Sequence, residues 1–163
     1  MRTMRIVLTK LSDRKHRLNI VRGDGSEDTI ELVTREALFH DFLHHAVERA
    51  MPTQGGFWGA LAAGKTFEDL NDRSGESVKD LVESLYVVEG AVGMMTNVVQ
   101  LPADEAWEKV RWYHDTQGMA PPSWCTEDFV AKCCESMRRM LGRWKATPFG
   151  ETMELEWQRA DLQ

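Results

Sequence analysis

Three of the five histidines in this 163-residue chain fall in one nine-residue stretch, HDFLHHAVE at 40–48. His40 and His44 are four positions apart. On a helix, that spacing sets two imidazoles on adjacent turns of one face, the arrangement that holds a divalent ion in H-E-x-x-H sites. Here the pattern is H-D-x-x-H. Asp41 stands where a zinc peptidase has its glutamate base, and it is one methylene shorter. Glu48, one turn beyond His44, is placed to be a third ligand. The residues therefore predict a divalent-metal site, zinc being one candidate ion, with His40, His44 and Glu48 as ligands. If the site is catalytic, a metal-activated water attacks a small substrate with Asp41 or Glu48 as base. Either carboxylate could instead orient an imidazole from behind.

The segment reads as an amphipathic helix at about 100° per residue. Leu38, Phe39, Phe42, Leu43, Ala46, Val47 and Ala50 occupy one half. His40, Asp41, His44 and Glu48 share the other, and His45 lies at the edge. A solvated helix face has the same pattern, so a working site needs another element laid over it. His114-Asp115 and the loop through Trp124 and Cys125 are the candidates in sequence. The HDxxH element resembles that of a family of ubiquinone-biosynthesis proteins, whose motif adds a glutamate twelve residues after the second histidine. That position here is Gly56.

A second motif competes for attention. GALAAGKT at 59–66 matches the phosphate-loop pattern G-x-x-x-x-G-K-[ST] from Gly59 to Thr66. Chance supplies such a match in roughly one chain of this length in 200. A phosphate loop needs a buried strand before it and a helix after it. PTQGGFW at 52–58 is no such strand, and no strand–helix alternation follows. The letters fit a short helix over 57–63 better, with Gly64 ending it, Lys65 near its negative end and Thr66 capping the next helix with Asp69. Nucleotide binding at 59–66 is the third reading of function. The second is a non-catalytic interaction or homo-oligomerisation module using the polar face of 40–48 and exposed aromatics.

The bulk composition narrows the partners. A net charge of -6 argues against a nucleic-acid partner. No apolar run approaches a membrane span, and the first residues lack the pattern of a signal peptide. Three cysteines without a framework fit free thiols and predict a cytoplasmic protein. Cys133 falls in an apolar helical stripe, where cysteine behaves as a small hydrophobe. Most of the six tryptophans are expected in the core, with Trp112 outside it.

The elements that position these residues follow from periodicity. Alternating apolar residues predict strands at 5–11, 17–22 and 29–33, with a hairpin at Gly23-Asp24-Gly25-Ser26. Lys10, Lys15, Arg17 and Arg22 are expected to face acidic residues across strands. Met153, Leu155 and Trp157 alternate with glutamates and predict a last strand pairing with the first three. Between them lie helices: one capped by Thr34 and stopped by Pro52, a core helix over 81–99 entered at Ser77, one over 104–115, and one capped by Thr126. The expected fold over 1–163 is a single α+β domain. A three-stranded N-terminal meander and a C-terminal strand form a small antiparallel sheet packed on four to five helices.

Overall fold

The computed structural model describes residues 3–53 and 55–158. Four strands, β1 (Thr3–Lys10), β2 (Lys15–Val21), β3 (Glu27–Val33) and β4 (Thr152–Gln158), form one antiparallel sheet in the order β3-β2-β1-β4. Side-chain alternation gives the sheet an apolar face. Ile6 lies opposite Ile20 and Leu155, and Leu8 opposite Leu18 and Met153. All six are buried, each contributing about 1.5–3 kcal/mol. On the polar face, Arg17 meets Glu31 at 3.3 Å and Arg5 meets Glu154 at 3.4 Å. Among the described residues the expected acid pairing forms for Arg17 and fails for Lys10, Lys15 and Arg22. Lys10 donates to the Trp144 carbonyl, and Arg22 donates to the carbonyls of Leu61 and Lys65.

Six helices accompany the sheet, completing an α+β fold: α1 (Thr34–Ala50), α2 (Phe57–Ala62), α3 (Phe67–Asn71), α4 (Val82–Thr96), α5 (Ala103–Thr116) and α6 (Glu127–Ala146). The two short helices on either side of Gly64 are those the sequence expects around residues 57–66. Thr126 caps α6 as its sequence predicts, accepting from the Phe129 amide at 3.1 Å. Two other expected caps do not form. Thr34 lies inside α1, and its hydroxyl bonds His16 Nδ1 at 2.9 Å. The Ser77 hydroxyl donates to Asp72, and a 3₁₀ turn, Glu76–Leu81, precedes α4.

The core is continuous from the sheet's apolar face through α1, α6 and α4. Val130, Cys133, Met137, Met140 and Trp144 supply the buried stripe of α6. Trp58 and Trp157 are fully buried, whereas Trp112 is 67% exposed. The run 81–99 departs from its expected place as a core helix. Val88, Ala91, Val92 and Met95 are buried, but Val82, Tyr86 and Val87 face solvent. Among the described residues α4 packs chiefly on α1, so α4 is the element laid over the histidine face.

Candidate metal centre

His40 and His44 project from successive turns of α1, as their spacing dictates, and Glu89 of α4 meets them. One ligand atom from each of these three residues lies within 4.8 Å of the other two. The imidazole rings of His40 and His44 are 4.6 Å apart, edge to face. His44 is the buried member, with a side chain 1% exposed, while His40 and Glu89 are 56% and 55% exposed. The cluster thus has a fixed inner ligand and two outer ones open to solvent.

The His44 ring is held from behind. Its Nδ1–H donates to Glu48 Oε2 at 2.9 Å. Glu48 is itself anchored: Oε1 accepts from the amides of Trp58 and Gly59 at 3.0 and 3.2 Å. Those amides belong to the first turn of α2, whose unpaired N–H groups need an acceptor. The approach requires a glycine. A Cβ on Gly56 would lie 2.1 Å from Glu48 Cδ. The position at which the resembling motif carries a third acidic residue is therefore filled by the carboxylate of Glu48. In the neutral ring, with Nδ1–H committed to Glu48, Nε2 carries the lone pair. Glu89 Oε1 is 3.1 Å from it, yet Nε2 is buried and has no aligned hydrogen-bond partner.

Burial pushes the His44 pKa down, but the hydrogen bond to Glu48 and the nearby Glu89 carboxylate outweigh it and raise it to about 9. Burial raises the Glu48 carboxyl, and His44 with the two amides draws it back only partly. The Glu89 carboxyl is lowered, chiefly by His44. With no ion bound, the protonated ring lies between two carboxylates, Glu48 at Nδ1 and Glu89 at Nε2. A metal ion fits the position of the Nε2 proton electrostatically.

The geometry needs modest closure to hold an ion. Zinc–nitrogen and zinc–oxygen bonds of about 2.0–2.1 Å set tetrahedral donor separations near ~3.3 Å. His44 Nε2 and Glu89 already satisfy this. His40 must move inward, and its exposed side chain has the freedom to do so.

The remaining predicted residues are also placed. Asp41 is largely buried, with Oδ1 3.8 Å from His40 Nδ1. Its backbone carbonyl accepts from the Trp58 indole N–H at 3.0 Å. His45 faces the sheet, with Nε2 on the Glu156 carbonyl at 3.2 Å. His114 bonds the Val110 carbonyl of its own helix and does not cover the site. Glu89 escaped the sequence reading because it lies on another helix. Its one signal was an acid in an otherwise apolar run.

The phosphate-loop letters take the arrangement of helix, glycine, cap and helix. Gly64 has φ +107°. Thr66 and Asp69 form a reciprocal capping box. Lys65 Nζ donates to the Ser77 carbonyl at 2.7 Å and pairs with Asp80 at 3.3 Å. Residues 59–62 are helical, so they form no loop around a phosphate. Among the described residues, no helix is long and apolar enough to cross a membrane. Comparison of the chain with protein-family profiles, curated proteins and solved structures returned no match.

Proposed function

We propose that this protein binds a divalent transition metal through His40, His44 and Glu89. The observation that carries the reading is His44 Nε2: buried, without an aligned partner, and fixed by the Glu48 hydrogen bond on the other ring nitrogen. A carboxylate behind a histidine is the usual support of a metal-ligating imidazole. Glu48 accordingly acts as the orienting group, and Glu89 takes the ligand position that the sequence offered to Glu48. Two histidines and one carboxylate suit zinc and also iron or manganese.

Three protein ligands leave coordination open on the solvent side, as in catalytic sites. A bound divalent ion would acidify water there, which supports metal-dependent hydrolysis of a small substrate. Both Glu48 oxygens are engaged, so Asp41, beside His40, is the carboxylate left to accept a proton. Titration with cobalt(II) tests the binding claim: visible absorption bands saturating at one equivalent, and lost in Glu89→Gln, support it. No saturable spectrum from wild type contradicts it.

A second reading has its own observation. Tyr86, 81% exposed, and Val82, 57% exposed, lie on the open side of α4. In a non-catalytic interaction or self-association module, this face meets a partner and His44 stays protonated between Glu48 and Glu89. The cobalt titration separates the two, because the module binds none.

A further inference from the structure

A groove of about 560 Å³ lies between α1, α6 and β4. It is on the α6 side of α1, away from the α4 side that His40 and His44 face. Its floor is apolar, built by Ala46, Ala50, Met140 and Leu155, and its rim carries cations. Two of these are already occupied: Lys132 pairs with Asp128 at 2.7 Å, and Arg143 donates to the Glu154 carbonyl at 2.7 Å. The Glu154 carboxylate turns to Arg5. Arg49 and Arg139 differ. Among the described residues neither makes a hydrogen bond or ion pair.

We infer that this groove binds a small amphiphilic anion, an oxyanion group on an apolar body, with Arg49 and Arg139 gripping the oxyanion. In a chain of net charge -6, two uncommitted guanidinium groups over one apolar floor make a local exception. Guanidinium matches carboxylate and phosphate oxygens in paired hydrogen bonds. The volume is that of a small-molecule site, with a small apolar floor beneath a largely polar and charged rim. His45 lies at the base of the groove, its Nε2 3.2 Å from the Glu156 carbonyl. Glu135 and Glu156 also line the rim, and their negative charge disfavours ligands carrying many phosphates more than those carrying one.

The test uses octanoate and phenyl phosphate as probes on the full chain, followed by amide NMR shifts and calorimetry. Saturable binding of either probe, with shifts centred on Ala46, Ala50 and Leu155, is expected. Arg49→Gln combined with Arg139→Gln should weaken it about tenfold or more. Both side chains are exposed, so the fold should survive, and a thermal melt checks this. Absence of saturable binding overturns the inference. So does binding indifferent to both substitutions, binding with shifts elsewhere, or association only with anionic vesicles. The groove stands independently of the metal reading, since cobalt titration reports on His40 and His44 alone.

Discussion

His44 Nε2 and Glu89 Oε1 stand 3.1 Å apart, one from α1 and one from α4, without an aligned hydrogen bond between them. The pair is the polar contact of α4 with the histidine face, beside the buried Val88 and Val92. On the metal reading, Glu89→Gln removes the anionic ligand while touching only a half-exposed position. Divalent-ion affinity should fall at least about tenfold with little change in melting temperature. Chelator competition measures the first and a thermal melt the second.

Glu48→Gln makes a sharper test of how His44 is held. The amide oxygen can still accept from Trp58 and Gly59. Its NH₂ group would then face His44 Nδ1, turning that nitrogen into an acceptor and moving the ring proton to Nε2. Metal affinity should drop about 10–100-fold, and nitrogen-15 NMR of the imidazole should report the exchanged tautomer. An unchanged tautomer with unchanged affinity would remove Glu48 from the site.

Gly56→Ala tests the packing behind the ring. The added methyl meets the Glu48 carboxylate, so the loop or Glu48 must shift. Chemical denaturation should show a loss of about 1–3 kcal/mol. Metal affinity should fall with it, because Glu48 no longer aligns His44.

Two buried histidines set the acid limit of the fold. Burial lowers His16, and burial followed by the Arg49 and Arg139 charges lowers His45 to about 4. Each folded-state pKa lies below the unfolded value of 6.5, so protons favour the unfolded chain. Stability from these groups is complete above pH 6.5 and is lost as the pH falls below it, for His45 down to about 4. The cost is on the order of a few kcal/mol. His44 has the opposite sign. Its pKa of about 9 adds stability below pH 6.5 that fades as pH rises through 9 in metal-free protein. Urea melts across pH 4–10 measure both limbs, and His16→Gln should flatten the acid one.

The sheet was legible because a period of two in β1, β2 and β4 reports burial directly. The two-faced character of α1 was legible for the same local reason. GALAAGKT was legible because Gly64, Thr66 and Asp69 act within a few residues of each other. Glu89 was not. Its position depends on how α4 crosses α1, which no local period encodes. The same limit applies to Thr34, whose hydroxyl serves His16 on another element, and to Gly56, whose neighbour is a carboxylate on α1. For the phosphate-loop letters the structure implies that Thr66→Ala costs about 1 kcal/mol through the lost cap. Nucleotide titration should show equal, negligible binding in wild type and Lys65→Ala; tight binding lost only in the variant would overturn this.

The most direct measurement is elemental analysis of untagged protein beside a His40→Ala/His44→Ala variant. The wild type should carry about one equivalent of a divalent transition metal and the folded variant none. Metal-free wild type that takes up no ion on reconstitution with zinc, iron or manganese would contradict it.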